Sequence, residues 1–221
     1  MYITNDHDRG LNSLMTALLF IILLSLIVIN SPILMTFDIL LQDFILGLSF
    51  NHSVFNHLLS WLSNPVMVGI YILLIWFLLW GFKHKLIAFW LVCTSLTGEI
   101  IFLLIRRVTA RPLPTGHEQG LTAGSFPNQH VFSITMVAML LYICVVPFIR
   151  TRWRVWLTTI GLWLVTCLVI IGQIQLQNSY PFDAIASVLL AYSWVEIWEI
   201  IYLKAFKRLT QTRIFNHSDF N

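Results

Sequence analysis

Six stretches of this chain are apolar for about the length that crosses a bilayer, roughly 20 residues each. They run over Ser13–Asn30, Val66–Phe82, Leu86–Ile105, Val131–Ile149, Val155–Leu176 and Ala184–Leu203. A chain that repeats such segments has few folds open to it. In hydrocarbon every backbone polar group must be satisfied within its own segment, so the segments are helices. Only 10% of the 221 residues are charged, where a soluble domain carries about 25%. An ordinary soluble protein and a disordered chain are excluded. So is a nucleic-acid binder, because thirteen cations and a net charge of +3 make no phosphate-tracking surface. The expectation is an all-α, polytopic protein with six transmembrane helices, forming one membrane domain over residues 1–221. Cys93, Cys144 and Cys167 lie scattered in apolar runs, which argues against disulfides and zinc.

The segment Ile33–Phe50 is different. It is apolar, yet Asp38, Gln42, Asp43 and Gly47 recur at about four-residue intervals. Two aspartates at the centre of a span would cost roughly 2.5–3.5 kcal/mol each. The segment reads as an interfacial amphipathic helix after the first span; the alternative is a seventh short span.

Lys and Arg set the orientation. With six spans both termini share a side, and that side collects ten of the cations. The other side holds Arg106, Arg107 and Arg111. Positive residues favour the cytoplasm, so both termini are predicted inside. The three outlying arginines then share one outer loop, Arg106–His130, with His117 and His130. Such a cluster is a candidate anion pocket; the plainer reading anchors Arg106 and Arg107 at lipid headgroups. His117 reads either as a substitute acid or headgroup ligand, or as a solvated ring. The other short outer connection ends in Asp183, which opens the last span and can cap it. Glu99, inside the third span, either marks function or hydrogen-bonds another span. Glu196 and Glu199 are expected to reach towards Lys204.

The outer loops carry a resemblance. Ser125-Phe126-Pro127-Asn128-Gln129-His130-Val131-Phe132, Tyr180-Pro181-Phe182-Asp183 and Arg111-Pro112-Leu113-Pro114 resemble motifs of the type-2 phosphatidic acid phosphatase superfamily. That family has six spans with this charge asymmetry. Its motifs are Lys-x6-Arg-Pro, Pro-Ser-Gly-His and Ser-Arg-x5-His-x3-Asp. The resemblance implies a plasma-membrane protein with an extracytoplasmic pocket, facing a phosphorylated membrane lipid or polyprenyl phosphate, with no metal or cofactor. It gives His130 the place of the general acid. Asp183 takes the place of the carboxylate that orients the nucleophile.

Other motif places have changed. Ser179 stands where the nucleophilic His belongs, and Gln173 where the Arg belongs. Asn128-Gln129 replaces Ser-Gly. In the first motif Arg106 takes the Lys place and Leu113 the Arg place; in the other register Arg111-Pro112 is the Arg-Pro and Leu104 takes the Lys place. Candidate phosphate ligands are Arg106, Arg107, Arg111, Asn128, Gln129 and His117. Losing a nucleophile lowers turnover on the order of a million-fold. Losing a charge clamp lowers it roughly 100- to 1,000-fold. The expectation is a degenerate member that binds a headgroup without hydrolysing it. The alternatives are a working phosphatase with rearranged residues and a structural membrane partner without ligand. Neither the lipid nor the oligomeric state follows from the sequence.

Overall fold

The computed structural model describes residues 8–47, 53–117 and 124–209. Among them lie eight α-helices and no strand. They are α1 (Arg9–Val28), α2 (Pro32–Leu46), α3 (Ser53–Leu62), α4 (Pro65–Gly81), α5 (Lys85–Thr109), α6 (Gln129–Val145), α7 (Arg152–Gln175) and α8 (Pro181–Leu209). A short 3-10 turn, Val146–Phe148, extends α6.

Local chemistry sets the helix starts. Pro32, Pro65 and Pro181 stand at first helical positions, where the missing N–H is no loss. Asn64 Oδ1 accepts the Val66 N–H at 2.9 Å, and Asn128 Oδ1 accepts the Val131 N–H at 2.9 Å. Each satisfies one of the donors a helix start leaves open. At the far end of α5, Ala110 adopts a left-handed φ of 42° and turns the chain back.

Helices α1, α5, α6, α7 and α8 are each long and apolar enough to cross a membrane. The sixth crossing differs from the Val66–Phe82 expectation. Helix α4 has 17 residues, which at 1.5 Å per residue is about 25 Å, short of a 30 Å hydrocarbon core. Helix α3 precedes it after a 48° bend, and together the two pass for one broken span. The α3 segment is polar enough (Asn56, His57, Ser60) to read as a connection. It folds as a helix because Leu59 packs with Val169 and Ala184, and Asn56 Nδ2 donates to Gln175 Oε1 at 2.9 Å.

The interior is built from α5, α6 and α8. Trp90, Leu91 and Phe102 of α5 pack with Phe132 and Leu140 of α6 and with Ala186, Ala191 and Val195 of α8. The outer faces are apolar too. Leu18, Leu19 and Ile22 of α1 and Trp156, Leu157 and Ile160 of α7 are exposed. In water such a belt would drive aggregation; in a bilayer it meets tails as apolar as itself. Glu99 hydrogen-bonds across spans, accepting from Ser133 Oγ at 3.2 Å.

Two indoles lace α5 to α8. Trp90 Nε1 donates to the Trp198 carbonyl at 2.8 Å, and Trp194 Nε1 donates to the Thr94 carbonyl at 3.2 Å. Gly98 makes this approach possible. A Cβ there would lie 2.6 Å from Met136 Cε and 3.1 Å from Trp194 Cδ1. Gly98→Val is therefore expected to overpack the seam and lower stability by about 1–3 kcal/mol. Thermal unfolding in detergent checks this, and an unchanged midpoint would show that the seam can relax.

Candidate functional site

The site begins where the chain leaves α5. Ser125 N–H donates to the Arg111 carbonyl at 2.9 Å. Gly124 lies so close that a Cβ would stand 2.7 Å from that same oxygen. This tight return turns the Arg111 side chain inward. There its guanidinium is shared between two carboxylates. Nη2 donates to Asp38 Oδ2 at 2.7 Å, and Nη1 donates to Asp183 Oδ1. Both aspartates are fully buried. The guanidinium also lies 4.3 Å from the Tyr180 ring centre, a cation–π distance.

Asp38 comes from α2. Its Oδ1 accepts the Phe182 N–H at 2.9 Å, in the first turn of α8. Asp183 sits in that same turn. From there a relay reaches α6: Ser187 Oγ donates to the Asp183 carbonyl at 2.7 Å, and the Asn128 N–H donates to Ser187 Oγ at 2.8 Å. Asp183 Oδ2 and Ser125 Oγ are buried with no well-aligned hydrogen bond among the described residues, and the Ser125 hydroxyl is the polar group nearest to hand for the Asp183 carboxylate.

One cation between two carboxylates leaves a net charge of −1. Burial alone would lower the Arg111 pKa, but the pull of Asp183 and then Asp38 outweighs it, so the guanidinium is held above its ordinary value. Burial pushes the Tyr180 phenol up, and Asp183 and Asp38 add to that against the opposing pull of Arg111. Tyr180 is therefore a neutral ring lying against a permanent cation.

His130 occupies the first turn of α6. Its Nδ1 lies 3.1 Å from Ser63 Oγ, at the break between α3 and α4. Ser179 is fully buried, and its hydroxyl donates to the Tyr180 carbonyl at 3.1 Å. Gln173 is buried too, with its Oε1 unpartnered among the described residues.

Arg106 turns towards the start of α6. Its Nη2 donates to the Gly124 carbonyl at 2.9 Å and its Nη1 to Gln129 Oε1 at 3.3 Å. Its Nε is buried without a partner among the described residues. Leu104, the other claimant to the Lys place, is exposed on the apolar exterior. Arg107 is exposed and shares with Arg106 a groove of about 580 Å³, walled by Ile100, Leu103 and Leu104. His117 stays in its own loop, its ring nitrogen 2.9 Å from the Pro114 carbonyl.

The structure thus gathers Arg111 and Asp183, and ties Asn128 to Asp183 through Ser187. Arg106 and Gln129 form a second pair, while Arg107 and His117 lie apart. Asp38, Ser63 and Ser187 were missed by sequence reasoning. For Asp38 the signal existed, since a charge inside an apolar segment needs a partner. Two members of the expected stripe, Asp38 and Gln42, are turned onto the protein with Leu34, whereas Asp43 and Gly47 are exposed with Phe37, Leu40 and Phe44.

A second ion cluster lies just past the middle of α8. Arg9 Nε contacts Glu199 Oε2 at 2.7 Å and Glu196 Oε2 at 3.4 Å. The two glutamates thus engage the start of α1, where the sequence reading directed them to Lys204.

Compared with solved structures, the chain matches the crystal structure of a transmembrane PAP2-type phosphatidylglycerolphosphate phosphatase from Bacillus subtilis. The TM-score is 0.70 at 15% identity, over 91% of this chain and 98% of that one. No family model and no curated protein matches the sequence. The chain is a multi-pass membrane protein with the PAP2-type fold, the fold of the type-2 phosphatidic acid phosphatases. The motif resemblance leads to that same fold.

Proposed function

We propose that this chain is a non-hydrolysing member of the type-2 phosphatidic acid phosphatase superfamily. In this reading it holds the phosphate of a phosphorylated lipid or polyprenyl carrier at an extracytoplasmic face of the plasma membrane. The observation that carries the reading is Ser179. It stands at the nucleophile position, is fully buried, and donates its hydroxyl to a backbone carbonyl. A serine needs an adjacent base to attack phosphorus. The Asp183 carboxylate, four residues on, is instead paired with Arg111.

Headgroup contact falls first to Arg106 and Arg107. A guanidinium has five N–H donors, and the two contacts described for Arg106 use two of them. The groove beside both arginines has apolar walls suited to an acyl or prenyl chain.

Purified protein given phosphatidic acid or undecaprenyl pyrophosphate is expected to release no phosphate above background, about a million-fold below a working member. Release that disappears in His130→Ala would overturn the reading and establish a rearranged phosphatase. Binding is read separately, because a ligand that binds the folded state raises its unfolding temperature. No headgroup-dependent shift would point to a structural membrane partner.

A further inference from the structure

We propose that Asp38 is a tethered occupant of an oxyanion seat, so that α2 competes with a lipid phosphate for Arg111 and the start of α8. This rests on the headgroup reading above and adds its regulation.

The argument starts from what surrounds the Asp38 carboxylate. Oδ2 accepts from Arg111 Nη2 at 2.7 Å, and Oδ1 accepts from the Phe182 N–H at 2.9 Å. A guanidinium arm combined with a backbone N–H at a helix N-terminus is a donor set that suits a phosphoryl oxygen. The carboxylate filling it is fully buried, so the seat is built, enclosed and occupied by an anion.

Asp183 does not need this seat. It engages the other arm of the same guanidinium, Nη1. Asp38 therefore takes the second arm, Nη2, together with the Phe182 N–H.

Electrostatics makes the two occupants exclusive. A monoanionic phosphate ester that replaces Asp38 keeps the charge around Arg111 unchanged. One that joined Asp38 would place three anionic groups around one guanidinium in a buried site, at a prohibitive desolvation cost. The carrier of Asp38 is lightly attached. Of the fifteen residues of α2, Leu34, Asp38 and Gln42 are buried. The further bond from Gln175 Nε2 to the Ile45 carbonyl is long, at 3.5 Å. A helix held this way can exchange its carboxylate for an external anion. A purely structural staple would behave differently: its loss would weaken the fold without creating affinity for anions.

The test uses the full-length chain in phosphatidylcholine nanodiscs, with inorganic phosphate as one probe and added phosphatidic acid as the other. Asp38→Ala is expected to bind at least about tenfold more tightly than wild type, the equivalent of one charged hydrogen bond regained. The gain should vanish in Asp38→Ala/Arg111→Gln. Asp38→Asn, which keeps the shape and one acceptor, should show a smaller gain and serves if the alanine variant folds poorly. A gain with both probes assigns the seat to the phosphoryl group. A gain with phosphatidic acid alone assigns it to a headgroup held together with its chains. Affinities equal to wild type in the Asp38 variants, or a gain that persists without Arg111, would overturn the proposal. Phosphate release is followed in the same samples. Its appearance would sink the non-hydrolysing reading while leaving the competition between Asp38 and phosphate standing.

Discussion

Arg111→Gln is expected to destabilise the protein by roughly 3–5 kcal/mol, because it strands two fully buried carboxylates. Asp38 and Asp183 share the one guanidinium, and both have zero exposure. Glutamine offers an amide donor but no charge, so the uncompensated pair must repel, take up protons or draw in water. The loss arises from the orphaned anions more than from the pair itself. A triple variant, Arg111→Met with Asp38→Asn and Asp183→Asn, should therefore recover most of the stability. Thermal unfolding in nanodiscs, followed by tryptophan fluorescence, separates these outcomes. An Arg111→Gln midpoint equal to wild type would mean that the carboxylates are already neutral or hydrated.

Farther along α8, at the Glu196–Glu199 cluster, Arg9→Gln is expected to cost about 3 kcal/mol by the same physics. The Arg9, Glu196 and Glu199 side chains are 13%, 13% and 8% exposed. Without Arg9 the two glutamates face each other in a largely apolar cleft. The effect should fall on α1, whose main packing partner is α8. Hydrogen exchange along α1 should accelerate before the rest of the bundle opens. Glu199→Gln in the same chain should restore more than half of the loss, since it removes the carboxylate nearest to Arg9. Protection of α1 unchanged by Arg9→Gln would place its anchorage in apolar packing instead.

The spans were legible because hydrocarbon imposes one demand, a long run of apolar residues, and the sequence states it locally. The expected Leu86–Ile105 lies within α5, and the expected Val155–Leu176 overlaps α7 over all but its ends. Helix α3 was not legible, because its stability comes from Asn56 and Leu59 meeting α7, far away in sequence. The site divides in the same way. The motif places of His130, Asp183 and Ser179 follow from spacing along the chain, which is a local property. The partner of Arg111 could not, since Asp38 lies 73 positions before it and 144 before the Phe182 amide. Arg111 was therefore expected as a phosphate ligand, and it faces carboxylates. The four-residue spacing on α2 put Asp38 and Gln42 on one face; it did not show what that face meets, nor that Asp43 is exposed.

The indole lacing has a mechanical consequence. Trp90 reaches the carbonyl of Trp198, while Thr94, four residues on, receives the indole of Trp194, four residues back. The two helices thus run in opposite directions, and each hooks the other's backbone. A slide along the common axis would unhook both at once and open the Gly98 contact with them. Arg111 follows the end of one shaft and Asp183 sits at the start of the other, so their spacing is keyed into the bundle. An anion that displaces Asp38 from Arg111 is then accommodated by movement of α2, while the α5–α8 frame that spaces Arg111 and Asp183 stays fixed.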